Sequence, residues 1–247
     1  MKEADQRTTA LEQGLEALRI PNIFKLSRAA VFSRFQSMSQ SLSPFAPVSF
    51  ADAVQTIGAV MEVLDGEIDH LEEQSRGLRV LDLGCGSPEE GWYPWLSVGL
   101  GSCGSEVVGI DIGKQYEETE SYYTHVQFDL LNLLEEGGQD RFIAQLPDGY
   151  RQFDVLTVTN LFSSGTSGAL KNIARESNMQ YYQLPNAIGI LARKILVQGG
   201  LLVIETFSDR RLVLMKYEDD LFFLTKDEEL DREHWSTAEE PFNFEDF

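Results

Sequence analysis

The stretch Arg79-Val-Leu-Asp-Leu-Gly-Cys-Gly-Ser-Pro-Glu-Glu90 constrains this chain more than any other. It opens as an apolar run and breaks at Gly84 and Gly86, one residue apart. After about one helix's worth of chain comes Val107-Val-Gly-Ile-Asp111, an apolar run that ends on a carboxylate. A strand, a glycine loop, a helix and a second strand closed by an acid form a crossover unit of the nucleotide-binding type. The glycines permit a tight turn and a close approach of backbone to a ligand. The acid can accept hydrogen bonds from a ribose.

The chain before this stretch reads as a helical cover spanning residues 1–75, closed by a helix with Val54, Ile57, Val60, Met61, Leu64, Ile68 and Leu71 as its apolar stripe. From residue 76 the pattern changes to strands alternating with helices. The first strand is Val80 to Leu83, followed by a loop from Gly84 to Gly91 and a short helix from Tyr93 to Leu100. Pro94 is tolerated in the first turn of such a helix. The second strand runs from Glu106 to Ile110 and ends at Asp111; a weaker third, His125 to Asp129, again closes on a carboxylate. A helical region from Leu130 to Leu146 is interrupted near Gly137-Gly138. Phe153 to Phe162 gives the fourth strand and its exit, and Ser163 to Gly168 a loop at the edge where such sheets build their sites.

A helix through Ile188, Leu191, Ala192 and Ile195 is expected to stop at Gly199-Gly200, with the fifth strand over Leu201 to Phe207. Leu212–Met215 and Leu221–Leu224 read as two further strands, or as a helix and a strand. The domain thus spans 76–226, and 227–247 is an acidic tail with nine acids against Arg232. Strands alternating with helices predict an α/β fold with a doubly wound, mostly parallel sheet.

A formal charge of −20, from 40 acidic and 20 basic residues, argues against a phosphate backbone as partner. A small-molecule or basic protein substrate is easier to accommodate, and the charge reads equally as a solvated acidic surface that keeps the protein soluble. Cys85 and Cys103 are too few for a disulfide framework and lack a metal-binding pattern, so a cytoplasmic location is expected. No apolar run approaches membrane-spanning length.

Five segments in order resemble the motifs of class I S-adenosylmethionine-dependent methyltransferases. Val80-Leu-Asp-Leu-Gly-Cys-Gly86 is similar to that family's glycine motif, and Val108-Gly-Ile-Asp111 to its second-strand end. Phe128-Asp-Leu130 resembles its adenine-contact segment, Phe153 to Asn160 its fourth strand, and Leu196 to Ile204 its last helix and fifth strand. The resemblance covers about residues 76 to 207.

It implies S-adenosylmethionine as cofactor, bound by Asp82, Gly84, Cys85, Gly86, Asp111, Ile112, Asp129, Leu130 and Asn160. Asp111 would accept from the ribose hydroxyls and Asp129 from the adenine amino group. Ile112 and Leu130 would flank the ring, and Asp82 would orient the cationic methionine end. The chain departs from the family at Pro88, which stands where a third glycine is usual, and in a longer interval between Gly86 and Asp111. A dinucleotide would want glycine at position 89 and would instead meet Glu89 and Glu90. Two functions stay open: in-line methyl transfer to a small-molecule or protein acceptor, and a non-catalytic methyltransferase-like binding module. No residue is assigned as catalytic base, and no metal ligand set is present in the pattern.

Overall fold

Apolar runs covered on both faces become the central parallel strands, and a short polar strand pairs at their edge. The computed structural model describes residues 77–89, 93–102, 104–158, 161, 183–205, 211–223 and 234–235. The helical cover expected at 1–75, Asn160 with the loop after it, and all of the acidic tail except 234–235 lie outside these residues. The strands are β1 (Arg79–Leu83), β2 (Glu106–Asp111), β3 (Thr124–Gln127), β4 (Phe153–Val158) and β5 (Leu196–Glu205). They lie side by side as β3-β2-β1-β4-β5, all parallel. β4 is buried at every position and β1 and β2 at all but the first, as expected for strands sandwiched between layers.

Three helices are described: α1 (Trp95–Ser102), α2 (Gly138–Gln145) and α3 (Gln183–Ile195). Side chains alternate across a strand, so Leu81 and Leu83 point away from Asp82. Leu81, Leu83, Ile110, Leu156 and Val158 share one apolar cluster with Leu184, Ile188, Leu191 and Ile195 of α3 and Phe142 of α2. Asp82 faces the opposite way, toward Ser97 of α1. Helices therefore cover both faces, and the sheet is doubly wound.

The interruption expected near Gly137-Gly138 separates a short 3₁₀ turn, Leu130–Leu134, from α2. Gly137 has φ 68, in the left-handed region that favours glycine. The junction expected at Gly199-Gly200 lies elsewhere. α3 ends at Ile195, and β5 starts at Leu196 and runs through the glycine pair. Against β4 the register moves from Phe153↔Leu196 to Val155↔Leu201, so the glycines form an irregularity inside the strand. Gly199 has φ 76, and a Cβ on Gly200 would sit 2.9 Å from the Val197 carbonyl oxygen. The glycine pair thus answers a bulge and not a helix end.

Beyond β5 the sheet continues antiparallel through β6 (Arg211–Tyr217), β7 (Asp220–Phe223) and β8 (His234–Trp235). The two apolar runs after Phe207 are thus both strands. Their turn is tight, with Glu218 at φ 53, and the Gln198 amide grips it. Gln198 donates to the Glu218 carbonyl (3.0 Å) and accepts from the Glu218 N–H (2.7 Å). Among the described residues no helix is long and apolar enough to cross a membrane.

Lys216 of β6 is a charge placed for structure. Its ammonium donates to the carbonyl oxygens of Arg193 and Leu196 (2.7 Å to the latter), at the carboxyl end of α3. A cation there satisfies carbonyls that the helix cannot and complements its dipole. Lys216→Met should lower unfolding free energy by about 1.5–3 kcal/mol, the range for hydrogen bonds from a charged group. Urea denaturation measures it; a loss below about 0.5 kcal/mol would contradict the role.

Candidate functional site

The strand order turns back between β1 and β4, and the carboxyl ends of the strands there form the crevice where open α/β sheets bind ligands. The glycine loop leaves β1 at this edge. Gly84 has φ 73 and Gly86 φ 107, both in the region that favours glycine. The loop folds back on the end of β2. The N–H groups of Gly84 and Cys85 both donate to the Ile110 carbonyl, at 2.8 and 3.0 Å. The Gly86 N–H donates to Asp111 Oδ2 at 2.9 Å.

Asp111 joins two backbone segments. Its other oxygen, Oδ1, accepts from the Gly113 N–H at 3.0 Å, and its carbonyl accepts from the Phe128 N–H at 2.8 Å. The residue is only 7% exposed. A carboxylate offers about four lone-pair sites, and two are taken by these amides. Each oxygen keeps capacity for one further donor.

Side chains draw the loop and the turn after β2 together. Glu89 accepts from the Lys114 N–H at 2.9 Å, a contact that holds its carboxyl below the usual range. The Tyr116 hydroxyl donates to the Ser87 carbonyl at 3.5 Å. Gly113 is required by this approach, since a Cβ there would meet Ser87 Oγ at 2.3 Å and Glu89 Oε2 at 2.7 Å. Part of the longer interval after Pro88 is core. Tyr93 is buried, its ring 4.5 Å from that of Trp95 and 5.1 Å from that of Tyr116.

Asp82 is buried beneath the loop. Its oxygens accept from Ser97 Oγ at 2.7 Å and from Thr157 Oγ1 at 2.8 Å. Burial, opposed by those two bonds and aided by the Asp111 charge, pushes its carboxyl up from 3.8 to about 6. Both of its oxygens are thus engaged by protein hydroxyls. Cys85 is also buried, and burial with the charges of Asp82 and Asp111 pushes its thiol up. Tyr123 is raised as well, by burial. Tyr123 and Cys85 are thus held as neutral phenol and thiol.

Asp129 follows β3 and caps the 3₁₀ turn, its Oδ1 accepting from the Leu131 N–H at 2.9 Å. The Phe128 amide on Asp111 sets it beside the end of β2. Ile112, next to Asp111, is an exposed large apolar side chain at 53%. Leu130 is buried at the start of the turn. The structure therefore gathers Asp82, Gly84, Cys85, Gly86, Asp111, Ile112, Asp129 and Leu130 at one sheet edge. Asn160 lies outside the described residues.

Ser97, Thr157 and Gly113 are site residues that the sequence reading missed. Thr157 had a signal, since it is a polar residue inside an apolar strand. It lies opposite Asp82 in register. Ser97 and Gly113 become legible only once the chain is folded.

No protein-family model matches the chain, and no curated protein matches its sequence. Similar solved structures do exist. One is the MycE methyltransferase from the mycinamycin biosynthetic pathway, in complex with Mg, SAH and mycinamycin VI (18% identity, TM-score 0.34, 52% of this chain and 29% of that one). Another is the magnesium protoporphyrin IX methyltransferase ChlM from Synechocystis PCC 6803 with bound SAH (18%, TM-score 0.33, 70% and 65%). A third is the CurJ carbon methyltransferase (17%, TM-score 0.36, 84% and 52%). The match thus spans less than two thirds of each of these chains. The fold rests here on strand order and direction.

The raised carboxyl of Asp82 makes a signed prediction. The folded state holds this proton more tightly than the unfolded chain, so stability from this site is full below about pH 3.8 and is lost as pH rises through about 6. The difference amounts to about 3 kcal/mol. In Asp82→Asn that pH-dependent loss should vanish, so the wild type minus variant difference changes between pH 4 and pH 7. Denaturant titrations at several pH values measure it; parallel pH profiles for the two proteins would contradict it.

Proposed function

We propose that this chain binds S-adenosylmethionine at the carboxyl edge of β1 and β2 and transfers its methyl group to a small-molecule or protein acceptor. The observation that carries the cofactor reading is the use of the loop amides. Phosphate cradles work by presenting free N–H groups. Here the N–H groups of Gly84 and Cys85 are spent on Ile110 and that of Gly86 on Asp111. Pro88 has none. What the site offers instead is acceptors: the spare lone pairs of Asp111 and the second oxygen of Asp129. A nucleoside without phosphates, with two ribose hydroxyls and an adenine amino group, is the donor-rich ligand that suits them. Ile112 gives the ring an apolar face that is otherwise left to water.

The buried Asp82 fits the same reading. An ionised carboxylate held beneath the loop lowers stability by itself, and a cationic methionine end above it favours the charged form. Bound S-adenosylmethionine supplies an activated methyl group on a positively charged sulfur. The protein's share is to hold the nucleoside fixed so that an acceptor can align behind the methyl group, and to exclude water. No residue is assigned as catalytic base; a neutral acceptor becomes cationic on methylation and can then release its proton to water. Asn160, at the exit of β4, would border the methionine end.

Isothermal titration with S-adenosylmethionine, its product S-adenosylhomocysteine and NAD tests the reading. The first two should bind and NAD should not. Asp111→Ala should weaken binding by roughly 10- to 100-fold, the worth of hydrogen bonds to a charged group. Binding of S-adenosylmethionine should weaken as pH falls below about 6, where Asp82 takes up its proton. Absence of heat with both nucleosides, or equal affinity in Asp111→Ala, would overturn it. Binding without transfer of label to any acceptor would mark the chain as a non-catalytic module.

A further inference from the structure

β3 is the edge strand of the parallel sheet, and it is short and polar. Two of its side chains, His125 and Gln127, are two residues apart and so lie on one face of the strand. They grip consecutive carbonyls of the turn after β2. Gln127 Nε2 donates to the Ile112 carbonyl at 2.8 Å, and His125 Nε2 lies 2.9 Å from the Gly113 carbonyl. A carbonyl only accepts, so His125 Nε2 carries the hydrogen. In the neutral ring Nδ1 is then an acceptor, and it faces the Cys85 thiol with Sγ at 3.9 Å.

His125 therefore touches both halves of the site, the turn that carries Ile112 and Gly113 and the glycine loop through Cys85. Space for this contact comes from Gly109, its register partner on β2. A Cβ on Gly109 would lie 2.7 Å from the Tyr123 ring and 2.9 Å from Cys85 Sγ. Tyr123 packs against His125 edge-on, ring centroids 6.2 Å apart.

We propose that His125 is a positioning residue for the nucleoside, acting with Gln127 to fix the turn that presents Ile112 to the adenine and the Gly113 N–H to Asp111. The inference rests on the nucleoside reading above. The Gly113 N–H fixes Asp111 Oδ1, and the Gly113 carbonyl is held from the other side by His125. Displacement of this turn moves the apolar face and the ribose acceptor together. Polar groups near the ring include Cys85, Tyr123 and Glu89, the last on the Lys114 amide.

Three substitutions separate positioning from general structure. His125→Gln can place an amide donor where Nε2 stands; His125→Asn reaches only toward Cys85; His125→Ala does neither. Affinity for S-adenosylhomocysteine should fall about fivefold in the Ala and Asn variants, the worth of one hydrogen bond, and stay within about twofold of wild type in the Gln variant. Amide hydrogen exchange in the ligand-free protein should quicken at Gly113 and Lys114 in the Ala and Asn variants and not in the Gln variant. If Ala does not fold, the Asn and Gln pair carries the comparison. Equal affinity in all four proteins, or equal loss in Gln and Asn with unchanged exchange, overturns the proposal. Failure of the wild type to bind would overturn the cofactor reading alone; the exchange pattern would still decide whether His125 holds the turn.

Discussion

The carboxylate of Asp111, shared between the amides of Gly86 and Gly113, is the interaction on which the site depends. It joins the glycine loop to the turn after β2, and it does so at the end of two adjacent parallel strands. The other ties follow from it. Gly84 and Cys85 can share the Ile110 carbonyl because Gly86 is already drawn toward β2. Glu89 can reach the Lys114 amide because the turn is close. Gly113 has no room for a side chain for the same reason. The result is a loop in which the N–H groups of Gly84, Cys85 and Gly86 are all turned onto the end of β2.

On the proposed cofactor reading, stability and function pull apart at Asp82. The carboxylate sits between Ser97 and Thr157, whose two hydroxyl donors offset only part of what burial costs. An apolar residue there would suit a sheet whose neighbouring positions are fully buried. A charge below the crevice makes sense when a cation occupies the crevice. Lys216 is the contrasting case, a charge near the helix end that completes hydrogen bonding without reference to a ligand.

Much of this was legible in the chain. The apolar runs that become β1, β2, β4 and β5 stand where the strands form, and Asp111 ends β2; the third strand, expected to close on Asp129, ends at Gln127, and Asp129 caps the 3₁₀ turn instead. The reading failed at Gly199-Gly200 because a glycine pair after a helical stripe serves equally as a helix stop and as a strand bulge. Only the pairing with β4 separates the two. The hairpin after β5 was ambiguous because Leu212–Met215 and Leu221–Leu224 are short apolar runs without a decisive period. Ser97 and His125 were hidden for another reason. Their roles are contacts across distances of 15 and 12 residues to Asp82 and Gly113, which no local pattern encodes.

The site thus combines an apolar shelf at Ile112, two acids at strand ends and an inward-facing loop, which together favour a nucleoside over a phosphorylated ligand. A crystal structure with S-adenosylhomocysteine tests this most directly. The account predicts ribose hydroxyls within about 2.6–3.0 Å of Asp111, the adenine over Ile112 and its amino group toward Asp129, with the Gly86 and Gly113 bonds to Asp111 retained. A nucleoside lodged elsewhere, or a ribose that leaves Asp111 bonded only to the two backbone amides, would contradict it.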